Sequence, residues 1–272
     1  MGKTCVPLSL QRVITIDPFS LENVLAFGIQ PIGIASDSEW IEERYYLQER
    51  LAGVEFVGGY DQPNLEKILM LKPDLILGLD SVADTYGQLS QIAPTILSNF
   101  KSSSDWQKIL MHNAEALGKT DVAKQLMEQY YSRLEEFKRQ MGDRLTKTKV
   151  SVVRIYPEGI DIYRKNTFIG VVLEDAGLPR PAAQIEDMPG RLTSKELIHD
   201  ADGDVIFVWS NESGQRHQEV QAIFDKLQND PLWNQLNAVR QGKVFEVPSY
   251  WIGSSILSAH AVIDDLFKYL LE

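Results

Sequence analysis

The sequence predicts an α/β fold of two lobes with central parallel-type sheets, joined by one long backbone helix, with a ligand cleft between the lobes. Three observations carry this. Strand, helix and strand alternate at short range from Arg12 onward, the grammar of βαβ units and hence of a parallel sheet. A run of about 25 residues from Asp121 lacks proline and places apolar residues at helical spacing. A second α/β pattern opens directly after it, at Val150.

The first strand is the β-branched run Arg12–Asp17. Ser20 is expected to cap the next helix, with Asn23 at its third position, an apolar stripe of Leu21, Val24 and Leu25, and Gly28 as its stop. Ile29–Ala35 reads as the second strand. Asn64–Leu71 is a short helix cut at Lys72-Pro73, followed by strand Asp74–Gly78, helix Tyr86–Ile92 and strand Pro94–Leu97. Trp106–Leu117 is helical and stops at Gly118. The helix of Asp121 to about Leu145 carries Val122, Leu126, Tyr130, Leu134 and Phe137 on one face; it is either an ordinary surface helix or the backbone between lobes. Lobe boundaries follow at 11–118 and 147–272, with 119–146 as the link. In the second lobe, Val150–Tyr156, Asp161–Tyr163, Asp204–Trp209 and Lys243–Val247 read as strands. Phe168–Ala176, ended by Gly177, then Ser194–Ile198, Glu219–Leu227, Leu232–Leu236 and Ser258–Leu271 read as helical.

Two passages repeat. Asn64-Leu65-Glu66-Lys67-Ile68 leads into the strand opened by Asp74, and Ser194-Lys195-Glu196-Leu197-Ile198 into the strand opened by Asp204; eight residues separate acid from Asp in both. Either two ordinary α/β units coincide or the lobes are equivalent, each presenting one Glu.

Composition excludes several functions. Over 272 residues, Lys+Arg 27 against Asp+Glu 38 leaves a net charge of −11, which argues against nucleic acid as partner. A single cysteine, Cys5, allows no internal disulfide and no four-thiolate zinc site. No apolar run approaches the length of a membrane helix. Phosphate loop, nucleophile elbow and zinc-protease motifs are absent. The histidines His112, His199, His217 and His260 are scattered, so no direct metal site and no resident cofactor is expected. Asn211-Glu212-Ser213 matches a glycosylation sequon, read as fortuitous.

Taken in order, Gln11–Asp17, Leu25–Gly33, Asn64–Ile68 with Leu71–Ile76, Leu173–Pro181 and Ser194–Leu197 resemble the substrate-binding proteins of iron-uptake ABC transporters, in the helical-backbone class that binds ferric siderophores, haem or cobalamin. The resemblance implies two α/β lobes bridged by one long helix, a stiff hinge, and a periplasmic or membrane-anchored position on the outer side of the inner membrane. It implies docking of one Glu per lobe, here Glu66 and Glu196, on arginines of the membrane permease. Two separated acidic points fix orientation on a basic surface by complementarity.

Ligand contacts are expected on loops after strand C-termini. These nominate Tyr60 and Tyr86 in the first lobe, and Arg154, Tyr156, Tyr163, Arg191, Trp209, Tyr250 and Trp251 in the second. Aromatic rings bring large contact area at low entropic cost, and arginine brings charged, forked donors for an anionic chelate. Wall packing is the alternative for each aromatic, and pairing with a local carboxylate for Arg154. The expected function is binding, not catalysis: a monomer captures a ferric siderophore and delivers it to the permease. Haem or cobalamin is the rival ligand, and an α/β enzyme using the same cleft the rival class.

Overall fold

The computed structural model describes residues 4–7, 9–36, 41, 44–156, 159–185, 191–192, 195–210 and 214–272. The side chains of residues 45, 191–192, 195–197 and 214–217 lie outside that description. By contacts the chain forms two units, one of residues 1–129 with 254–257, the other of 130–253 with 258–272.

The first unit is built on strands β1 (Val13–Thr15), β2 (Gly33–Ile34), β3 (Glu55–Phe56), β4 (Leu75–Leu79) and β5 (Thr95–Ser98). They lie in the order β3-β2-β1-β4-β5, every pair parallel. Helices α1 (Pro18–Ala26), α2 (Tyr45–Gln48), α3 (Leu65–Leu71), α4 (Tyr86–Ile92) and α5 (Trp106–Ala116) connect and cover it. Both faces are covered, so β1 and β4 are apolar without alternation; Val13, Ile14, Leu75, Ile76 and Leu77 are wholly buried. Helix α6 (Thr120–Met141) then runs for 22 residues from the first unit into the second.

The second unit holds β6 (Val150–Tyr156), β7 (Gly159–Ile162), β8 (Arg191–Leu192), β9 (Val205–Trp209) and β10 (Val244–Glu246), in the order β10-β9-β6-β7-β8. Helices α7 (Phe168–Asp175), α8 (Gly214–Gln228), α9 (Asn237–Arg240) and α10 (Ile256–Leu271) accompany it. Here β10, β9 and β6 are parallel, while β7 and β8 run antiparallel.

The repeated passages occupy matching places. Asp74, before β4, accepts the Arg12 amide at 3.0 Å and donates its own amide to the Arg12 carbonyl at 2.8 Å. Asp204, before β9, accepts the Lys149 amide at 2.8 Å and donates to the Lys149 carbonyl at 2.8 Å. Each Asp thus buckles a central strand to the start of its parallel neighbour, β4 to β1 and β9 to β6. The two sheets share one strand order, and differ in the direction of a single strand, β7, which runs against both β6 and β8.

Several local expectations are met. Gly28, Gly118 and Gly177 end their helices with the paired backbone bonds of a left-handed stop, such as Ile29 N–H to Val24 O and Leu178 N–H to Leu173 O. Others are corrected. Helix α1 is capped by Asp17, not Ser20: the Asp17 carboxylate accepts the Ser20 amide at 2.8 Å, and Pro18 takes the first helical position, where its missing N–H costs nothing. The long helix leaves α geometry at Met141, and Gly142, at φ +54°, turns it into a tight helical segment over Gly142–Lys147. The second sheet is of the expected parallel type along β10, β9 and β6, with β7 antiparallel within it. Strand β3, two exposed residues at an edge, has no sequence signal.

Candidate functional site

In the second unit, register and alternation bring four of the nominated side chains to one place. Arg154 on β6 stands opposite Trp209 on β9. Tyr156 lies two residues on, hence on the same face. Across the other edge Arg154 faces Asp161 on β7, and Tyr163 follows two residues later. The Arg154 guanidinium sits 3.7 Å from the Trp209 ring centroid and 4.1 Å from that of Tyr156. It also hydrogen bonds the Tyr163 hydroxyl, which shares a second bond with Tyr156. Burial pushes the Tyr156 and Tyr163 phenols above the usual range, so both stay neutral donors at physiological pH. Trp209 is buried, and its indole N–H has no acceptor among the described residues. Beside it, at the ends of β9 and β10, the Ser210 hydroxyl donates to Glu246 at 2.7 Å.

The physical content of this cluster is a guanidinium placed over two aromatic rings. Stacking restricts its rotamers and strips water from its faces. Its in-plane N–H groups are the strongest donors such a surface offers to an anionic oxygen.

Tyr250 and Trp251 follow β10 in the same unit, and Trp251 packs on Phe207, two residues before Trp209 on β9. The Trp251 ring is wholly buried, tilted against Phe207 at 4.2 Å, and its N–H donates to Asp265 at 2.7 Å. Tyr250 donates its hydroxyl to the same carboxylate at 2.9 Å. The Trp251 ring is thus packed into the interior of this unit. Burial raises the Asp265 carboxyl, and these two donors oppose the rise.

In the first unit the strand ends present Asp17, Ser36, Asp80 and Ser98. Asp17 is buried; one carboxylate oxygen caps α1 and the other has no partner among the described residues. Burial lifts its pKa to about 6. Asp80 accepts the Phe100 amide at 3.1 Å, and Phe100 packs edge-on against Phe19 at 5.1 Å. Ser98 bonds His112 Nδ1 at 2.9 Å. Tyr86 opens α4 and packs on the core cluster of Ile14, Ile16 and Ile76, whereas Tyr60 is exposed in the turn bridged by Gly58 and Pro63. Glu66 is exposed in the first turn of α3, which Asn64 caps by accepting the Lys67 amide at 3.0 Å.

The side chains of Arg191, Glu196 and His217, and residues 211–213 with the sequon, lie outside the described residues. Among the described residues no group of three or more His, Cys, Asp or Glu is arranged to hold a metal ion, and no helix is long and apolar enough to cross a membrane.

The sequence reading passed over a buried ionic knot in the first unit. Glu22, wholly buried in α1, lies 3.8 Å from Arg44 and accepts from Ser254 at 3.1 Å, from Ser255, and from Tyr46 at 3.3 Å. Its signal was legible: a carboxylate set between Leu21 and Val24 on a helix whose surroundings are apolar.

Comparison with known proteins matches residues 13–251 to the model of the periplasmic binding protein family. The achromobactin-binding periplasmic protein of Dickeya dadantii (strain 3937) is 32% identical over 288 residues, covering 98% of this chain and 90% of the relative. YfiY of Bacillus subtilis (strain 168), named a "Probable siderophore-binding lipoprotein", is 31% identical over 277 residues, covering 98% and 84%. Among solved structures, Staphylococcus aureus SirA complexed with staphyloferrin B superposes with a TM-score of 0.86 at 27% identity, covering 99% of this chain and 96% of that one. The chain belongs to the periplasmic binding protein family, among the substrate-binding proteins of iron and siderophore ABC transport, which are carriers and not enzymes.

Proposed function

We propose that this chain captures a ferric siderophore outside the inner membrane, free in the periplasm or lipid-anchored, and delivers it to an ABC permease. The observation that carries the ligand reading is the Arg154 guanidinium framed by Tyr156 and Trp209 and tied to Tyr163. That frame suits a chelate with anionic oxygens: the rings hold the guanidinium in place, and the guanidinium gives charged donors. The relatives support the ligand class, since their names specify achromobactin and siderophores. Docking is assigned to Glu66 and Glu196, one in each copy of the repeat.

Intrinsic tryptophan fluorescence tests the reading, because Trp209 stacks on the group that meets the ligand. Ferric siderophores of catecholate, hydroxamate and citrate type are titrated in turn, with haem and cobalamin as controls. Saturable quenching by at least one ferric siderophore is expected. No response to any of the three classes, or a response to haem or cobalamin alone, overturns the ligand assignment.

A further inference from the structure

Strand β6 has a strand on both sides only in part. On one edge it pairs β9 from Val150 to Arg154. On the other, β7 covers Val153 to Tyr156, and beyond Ile162 one further backbone bond remains, Tyr163 N–H to Val152 O at 2.9 Å. Along Val150–Val152 no strand among the described residues lies beside that second edge, and open backbone groups inside a protein must find partners.

One backbone carbonyl and two side chains supply them: Pro179 O accepts the Val150 amide at 2.9 Å, and Arg180 and Gln184 serve the rest. Arg180 Nε donates to Val150 O at 2.8 Å, and its Nη2 donates to Tyr163 O at 2.6 Å. Gln184 Oε1 accepts the Val152 amide at 3.1 Å, and Gln184 Nε2 donates to the Ser151 hydroxyl at 2.6 Å. Arg180 Nη2 also donates to Gln184 Oε1, joining the two. The Gln184 backbone carbonyl takes the Lys165 amide at 3.1 Å, fastening the chain just past Tyr163. Both side chains are buried, Gln184 completely. Burial pulls the Arg180 guanidinium down to about 9, and no carboxylate among the described residues opposes it, so keeping it here costs stability and needs a reason.

We infer that Arg180 and Gln184 act as a surrogate strand beside the first half of β6, and that they are positioning residues for the ligand cluster. They determine where the chain leaves β7, and so where Tyr163 meets Arg154. A slip of one residue would turn Tyr163 to the opposite face. Gln184 grips β6 at Ser151 and Val152, two residues before Arg154; Arg180 grips Tyr163 itself. Neither touches the ligand cluster with its own side-chain tip except through that backbone. The inference rests on the proposed ligand site at Arg154.

The test uses the full-length chain, a ferric siderophore that quenches the wild type, and thermal unfolding measured alongside. Gln184→Leu leaves the Val152 amide and the Ser151 hydroxyl without their partner. It is expected to weaken ferric-siderophore binding about tenfold, and to shift the emission of the unliganded protein through Trp209. Gln184→Glu keeps the acceptor for Val152 and Arg180, and is expected to restore near wild-type affinity. Ser151→Ala removes only one bond and is expected to weaken binding a few-fold; it decides the matter should Gln184→Leu not fold. A purely structural role predicts a lower melting temperature with unchanged affinity in Gln184→Leu and Ser151→Ala, and that result overturns the inference. A wild type that answers no ferric siderophore overturns the ligand reading instead, so the two failures are distinct.

Discussion

Replacing Arg154 by alanine removes a charge, a forked donor and the filling between two rings. In the free protein the guanidinium lies 3.7 Å from the Trp209 centroid and 4.1 Å from that of Tyr156, and bonds Tyr163. Each stacked contact is worth about 0.5–1 kcal/mol, so stability falls by about 1–2 kcal/mol, a drop of a few degrees in melting temperature. Binding suffers more. A charged hydrogen bond contributes about 1.5–3 kcal/mol, which is about a tenfold to a hundredfold rise in Kd for an anionic ferric chelate. Arg154→Lys keeps the charge without the planar fork and falls between wild type and alanine. Calorimetric titration at a temperature well below both melting points separates the effects. An Arg154→Ala protein that binds the chelate as tightly as the wild type refutes the role of the framed guanidinium, whatever its stability.

Three further outcomes are expected. Glu66→Ala combined with Glu196→Ala leaves ferric-chelate affinity unchanged and abolishes chelate-dependent uptake in cells; normal uptake removes the docking assignment. Asp17→Asn stabilises the protein at pH 7, because burial lifts the folded-state pKa from 3.8 to about 6 while asparagine still caps α1. The contribution of protonated Asp17 to stability is full below pH 4 and is lost as pH rises through 6, so the gain in the variant, up to about 3 kcal/mol at pH 7, vanishes by pH 4 in urea unfolding; a pH-independent difference contradicts the burial cause. Glu22→Ala removes the buried carboxylate that faces Arg44 and accepts the hydroxyls of Ser254 and Ser255, and costs about 3–5 kcal/mol, read as a lowered thermal midpoint; an unchanged midpoint shows that the knot carries no stability.

Much of the fold is legible because burial writes itself into residue type. The buried strands β1, β4, β6 and β9 are continuous β-branched or apolar runs, and the helix-ending glycines stand at left-handed positions only glycine takes easily. The repeat was readable from Asp74 and Asp204, whose side chains make the same bonds in the two units. Edge strand β3 left no trace, since two exposed residues carry no period. The capping of α1 was assigned three residues late, because both Asp17 and Ser20 suit a cap and Pro18 decides between them.

The site was legible in a different measure. Arg154, Tyr156, Tyr163 and Trp209 were all nominated, and strand register accounts for their meeting. Trp251 was nominated on the same grounds, yet its ring lies in the core against Phe207 with Asp265 bound to its N–H. Sequence shows that a tryptophan is to be buried, but the face it turns to is decided by partners far along the chain. Arg180 and Gln184 are not legible for the same reason: most of their partners are backbone groups at Val150, Val152 and Tyr163, which have no signature in side-chain identity.

Equilibrium dialysis with radioactive iron bears most directly on the claim of chelate capture. The protein is dialysed against a ferric siderophore that quenches its fluorescence, against the same siderophore without metal, and against ferric iron in a weak buffer complex. One ferric siderophore retained per chain, iron and chelator together, with bare iron left in solution, is the predicted result. Retention of bare ferric iron, or of neither form of the siderophore, contradicts capture of an intact ferric chelate.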